Sequence, residues 1–102
     1  MRALIISRQK FPVAQAEFPG MLQAFAAWRE RYKPLMEKFE FFVSGNGGCG
    51  IVNVPDDDTL ARIMMEFPFG PYSENEVLPI VDGDTALAMQ QELIRQMMGG
   101  QS

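Results

Sequence analysis

Apolar and polar positions follow two different periods along this chain, and the changes between them mark its elements. Leu4, Ile5 and Ile6 form a short apolar run between Arg2 and Arg8. With two β-branched residues it predicts a first strand over residues 2–7. Arg8, Lys10 and Pro12 end it. From about Pro19 to Phe39 the spacing turns helical, with Leu22, Phe25, Ala26, Tyr32, Leu35 and Met36 recurring at steps of three and four. Arg29 interrupts this stripe. Pro34 lacks an amide hydrogen and clashes with the preceding turn, so a kink or break is expected there.

Residues 39–43, Phe-Glu-Phe-Phe-Val, predict a second strand, and Cys49 to Val54 a third. Between them Gly45-Asn46-Gly47-Gly48 is a turn signal, because Gly and Asn adopt positive φ at low cost. The pair reads as an antiparallel hairpin. Pro55 stops it, and Asp56 to Asp58 suit a helix start by capping and by their charge near the positive helix end. Leu60, Ile63, Met64 and Phe67 form that helix's inner face, and Pro68, Gly70 and Pro71 terminate it. Tyr72 to Val81 predicts a fourth strand, which Pro79 assigns to an edge or bulge. Asp82-Gly83-Asp84 then turns into a final helix, residues 85–98. The expected organisation is one domain over residues 1–98 and a flexible tail over 99–102.

The first six elements spell β-α-β-β-α-β, an α+β ferredoxin-like sandwich, followed by a C-terminal helix. Its helices cover one sheet face. The strands are rich in Phe, Val and Ile, so the second face needs cover too, and a second copy would supply it. The methionines of the third helix fit either a soft interface with that copy or the chain's own core.

Composition narrows the chemistry. The chain has 102 residues, 47 % hydrophobic, with no His and one Cys. That excludes an internal disulfide, zinc sites built from several Cys and His, and His-based acid–base catalysis. Nine basic and thirteen acidic residues give a net charge of −4, with no basic stripe. Nucleic acid and anionic membrane surfaces are therefore disfavoured as partners. No apolar run reaches membrane-spanning length and no signal peptide is visible, so a cytoplasmic location is expected.

Val54-Pro55 precedes a helix containing Leu60, and Phe67-Pro68-Phe69-Gly70-Pro71-Tyr72 leads to Glu76-Val77. These motifs resemble the muconolactone isomerase group of the dimeric α+β-barrel superfamily, most clearly over residues 40–81. The resemblance implies a subunit whose sheet joins a partner's into a barrel, a homodimer or higher assembly. It also implies a proton shift within an unsaturated lactone during aromatic-compound breakdown. Relatives include monooxygenases and cyclases, many without metal or organic cofactor, and no cofactor is expected here. Two features depart from the isomerases: Gly and Asn occupy the hairpin where they carry His and Tyr, and the C-terminal helix is extra.

A proton shift beside a carbonyl needs a base that receives and returns one proton, and donors for the developing enolate. Without His, carboxylates are the foremost candidates. Glu40 and Glu76 each interrupt an apolar strand, and an apolar pocket would raise their pKa into a useful range. A solvent-facing strand edge is the ordinary alternative for both, since Glu is rarely buried unpaired. Tyr72 is a candidate donor to an enolate or a packing residue. Asn53, Tyr32, Ser7 and Cys49 are candidate substrate contacts, against ordinary packing in each case. Arg2 and Arg8 suit a carboxylate or surface salt bridges.

The glycine turn joins two strands and carries no Lys, so it is not a phosphate loop. The Asp triplet lacks calcium-loop spacing, and no metal site is expected. The leading expectation is a cofactor-independent isomerase acting on a small unsaturated lactone or keto–enol compound, its ligand hydrophobic or carboxylated. The alternatives are a noncatalytic ligand-binding or assembly module, or a cofactorless monooxygenase or cyclase.

Overall fold

Pro34 decides where the first helix ends. In a computed structural model, which describes residues 1–99, helix α1 spans Phe18–Tyr32 and a 3-10 turn follows at Lys33–Leu35. Strand β2 then runs over Met36–Phe41, three residues earlier than the apolar pattern suggests. Met36 continues the helical spacing by coincidence. It is a strand residue opposite Val52, and an irregularity between Met36 and Lys38 sets the side chains that follow.

The remaining elements lie close to expectation: β1 at Arg2–Gln9, β3 at Gly47–Asn53, α2 at Asp57–Met65, β4 at Ser73–Ile80 and α3 at Gly83–Gly99. A second 3-10 turn, Gly70–Tyr72, leads into β4. The sheet order is β2-β3-β1-β4 with every neighbouring pair antiparallel. This is the ferredoxin-like arrangement. β4 is an edge strand, where Pro79 withholds no needed donor.

Strand alternation gives the sheet two distinct faces. Ala3, Ile5 and Ser7 on β1 stand level with Val52, Gly50 and Gly48 on β3, and with Pro79, Val77 and Asn75 on β4. This face meets the helices. Its core is Ala3, Trp28, Tyr32, Val52, Val54 and Ile63, all buried. Trp28 donates its indole N–H to the Ile63 carbonyl at 2.9 Å, tying α1 to α2. Full burial of a side chain such as Val52 or Ile63 contributes about 1.5–3 kcal/mol. The Asp56 side chain accepts from the Thr59 amide and caps α2.

The other face carries Leu4, Ile6, Ile51, Leu78 and Ile80. No helix among the described residues covers it. α3 contains no buried residue, and Leu87, Met89, Leu93, Ile94, Met97 and Met98 are all exposed along it. It does not complete the chain's own core. It accounts for an elongated shape of 70 × 27 × 19 Å and a radius of gyration of 18.4 Å, against about 13 Å for a compact chain of this length. Gly99 belongs to α3, and the other three positions of the expected tail lie outside the described residues. No helix among the described residues is long and apolar enough to cross a membrane.

Candidate functional site

Two glycines on β3 leave the helix-facing side of the sheet bare. A Cβ at Gly48 would run into the Glu40 carbonyl, and one at Gly50 would lie 2.9 Å from the Lys38 carbonyl oxygen. With no side chains there, space opens above the sheet between Ile5 and Phe39. The helices roof this space with aromatic rings. Phe25 of α1 is the hub, its ring centroid lying 5.6 Å from Trp28, 5.8 Å from Phe39 and 5.9 Å from Phe41. Phe67 and Phe69, from the segment after α2, approach it edge-on at 6.0 and 5.7 Å. Such tilted and edge-on pairs are favoured by ring quadrupoles.

The result is a cavity of about 210 Å³, lined mainly by these rings, Ile5, Leu22, Met36, Val52 and Met64. Its polar side chains are Ser7, Gln9 and Ser73. Asn75, level with Ser7 on β4, has a buried Oδ1 without a hydrogen-bond partner. The wall contains no Lys or Arg, and Glu40 is its one charged residue. Glu40 and Cys49 border the cavity beside the bare glycines, but alternation turns their side chains to the opposite sheet face.

The structure thus brings Ser7 into the cavity and Glu40 and Cys49 to its edge. It does not bring in the other candidates. Glu76 is exposed on the opposite face and accepts from Arg8 Nη1 at 2.7 Å. Asn53 is exposed on that same face, level with Arg2, which bonds Glu37 at 2.7 Å. Tyr72 ends the second 3-10 turn, and its carbonyl accepts from the amides of Lys10 and Phe11. Tyr32 is buried in the core beside Trp28, its hydroxyl unpartnered.

The pattern reading missed Phe25 as a site residue. The available signal was glycine at alternating positions 48 and 50 inside a strand, which marks a close approach or a space to be filled. No cluster of three or more His, Cys, Asp or Glu suited to a metal ion occurs among the described residues.

No protein-family model matches the sequence, and no curated protein matches it. Solved structures do match its fold. A muconolactone isomerase superposes with a TM-score of 0.71 at 17 % identity, covering 80 % of this chain and 90 % of its own. A 5-chloro-2-hydroxyhydroquinone dehydrochlorinase from Burkholderia phenoliruptrix, solved with 2,5-dihydroxybenzoquinone, superposes with a TM-score of 0.70 at 15 % identity. That match covers 83 % of this chain and 98 % of the other. The fold of the muconolactone isomerase group, expected from the Phe67–Tyr72 motif, is the fold of this chain.

Proposed function

We propose that this protein is a cofactor-independent enzyme that moves a proton on a small ring compound held in the Phe25 cavity, an isomerase-type step in aromatic-compound breakdown. The observation that carries this reading is the cavity itself, an apolar space roofed by aromatic rings and supplied with a few polar groups. Small-molecule sites combine an apolar wall with few orienting polar groups. The matching fold of two small-molecule enzymes adds to it.

In this reading Ser7 and Ser73 orient the ligand's oxygens, while the rings exclude water and strengthen those contacts. Glu40 borders the cavity from edge strand β2 through its backbone, and its side chain lies on the opposite sheet face, so this reading gives the base role to no carboxylate of the wall. The step removes a proton from the carbon beside the carbonyl, leaving an enolate, and returns it at the far end of the conjugated system. The double bond moves and no net proton is consumed.

The apolar sheet face with Leu4, Ile6, Ile51, Leu78 and Ile80 supports pairing with a second copy through that face. The noncatalytic reading shares both the pocket and the pairing, and proton exchange separates the two.

The test is proton NMR in D₂O with a neutral β,γ-unsaturated γ-lactone. Enzyme-dependent deuterium uptake and double-bond migration are expected. Glu40→Gln should leave both rates within about twofold, because that side chain lies outside the cavity. Migration that is independent of the protein would leave a binding module. A large loss of rate in Glu40→Gln would place its carboxylate at the bound ring.

A further inference from the structure

We propose that α3 is an arm exchanged between two copies of this chain, each copy's helix lying over the mouth of the other's cavity. Its consequence for ligand binding rests on reading the cavity as the ligand site, and the docking itself does not.

The helix argues first. α3 has 17 residues and no buried side chain, although Leu93, Ile94 and Met97 share one broad apolar face. A helix of this length gains most of its stability by packing such a face. Its own chain supplies no packing. Asp82 accepts from the Thr85 amide at 3.1 Å and from the Thr85 hydroxyl at 3.3 Å, and β4 ends at Ile80. Val81 alone therefore joins a capped helix to a paired strand. That short link holds α3 away from the sheet and gives the chain its 70 Å length.

The seat argues next. Phe18, Leu22 and Phe41 line the cavity, yet all three are exposed, so they form the rim of its mouth. Gln9 and Ser73 line it too, at the end of the sheet where β1 closes and β4 begins. α3 leaves from the other end, where Ile80 pairs with Arg2. The seven rises from Ser73 to Ile80 separate the two ends by about 23 Å. One chain thus bears two uncovered apolar surfaces at opposite ends. A two-fold axis across the strands turns the second copy end for end, so each α3 meets the other copy's rim in the same step. A foreign partner covers only one of the two surfaces.

Area argues last. Four strands about 4.8 Å apart and at least six residues long present an open face of about 400 Å². Two such faces in contact remove about 800 Å² in total, the size of a crystal contact and below that of a stable interface. α3 is about 25 Å long and about 10 Å across, and covers about 250 Å² on each side of its contact. Two exchanged helices bring the pair to the standard size of about 1,600 Å². An apolar helix across the rim also excludes water from the cavity, which couples ring binding to pairing.

The experiment mixes two forms of the full chain. One is the parent labelled with ¹⁵N. The other is isotopically unlabelled and carries a nitroxide through Met97→Cys in a Cys49→Ser background, so any broadening of ¹⁵N signals comes from the other copy. The Leu22, Gly45 and Gly47 amides at the mouth should broaden. Leu93→Glu, added to the nitroxide chain, should remove that broadening and weaken pairing at least about tenfold by sedimentation. Benzene, followed at the Gly48 amide, should bind the parent about fivefold more tightly than Leu93→Glu. Broadening confined to Ile6 and Ile51 would seat α3 on the open sheet face and overturn the proposal. A single-chain mass, or paired chains without broadening at the mouth, overturns it as well. If the mouth amides broaden and benzene binds neither protein, the exchanged arm stands and the reading of the cavity as a ligand site fails.

Discussion

Arg8 Nη1 stands 2.7 Å from Glu76 Oε1 across the β1–β4 pair, on the sheet face turned away from the aromatic cavity. Their side chains are 45 % and 46 % exposed. In a single chain such a pair contributes at most about 1 kcal/mol. Pairing of two chains through this face would desolvate it, and removing one partner would then strand a buried charge. If two chains pair through this face, Glu76→Gln is expected to weaken that association by about 2 kcal/mol, near thirtyfold, and to leave ring binding in the cavity unchanged. Analytical ultracentrifugation measures the first and titration the second. An unaltered dimer constant would place Glu76 outside the paired surface.

Phe25 contacts five other rings at centroid distances of 5.6 to 6.0 Å. Truncation removes one side of each contact and opens the roof. Phe25→Ala should lower unfolding free energy by about 3 kcal/mol and abolish ring binding, whereas Phe25→Leu should lose about half as much. Urea denaturation reads the stability. Equal stability of the alanine variant would show that the aromatic cluster adds nothing beyond the core around Ile63.

Much of the fold is legible in the sequence, and most of the site is not. The strands, the Asp56 cap and the edge position of Pro79 follow from local chemistry. The end of α1 does not, because Met36 satisfies helical spacing and strand register alike. The site fails for a related reason. Glu40 and Glu76 attract notice as charges in apolar strands, yet alternation turns both to the face away from the cavity. A strand's own sequence does not say which of its faces the helices cover. That depends on Ala3, Val52 and Ile63 packing together from distant parts of the chain.

Gly50 and Gly20 should respond to alanine with opposite sign. A Cβ at Gly50 meets the Lys38 carbonyl oxygen at 2.9 Å, so β2 and β3 must separate. Gly50→Ala is expected to cost about 1–3 kcal/mol and to weaken ring binding. Gly20 lies in α1, and beyond its own turn of helix nothing comes within 4 Å of an added Cβ. Gly20→Ala should stabilise by up to about 1 kcal/mol through helix propensity and a less flexible unfolded chain. Thermal unfolding of the two variants checks both signs. A neutral Gly50→Ala would mean that the hairpin yields easily, and the cavity floor would not be rigid.

Asp56 ties stability to pH. Its Oδ1 accepts from the Thr59 hydroxyl at 2.6 Å and from the Thr59 amide at 2.8 Å. The side-chain hydrogen bond, then the backbone one, hold its carboxyl below the ordinary value of 3.8. A depressed folded value means that the unfolded chain takes up the proton first as pH falls. The stabilisation is therefore complete above 3.8 and is lost as pH drops below it through the folded value. Asp56→Ala should be less stable than the parent at neutral pH, with the difference shrinking on that acid limb. Asp56→Asn keeps a capping oxygen without the titrating charge, so it should retain part of the cap with a flatter acid limb. Thermal unfolding of the three proteins from about pH 7 to about pH 2 reads these curves against one another. Parallel curves for the parent and Asp56→Ala would mean that the carboxylate does not hold Thr59 in the folded chain.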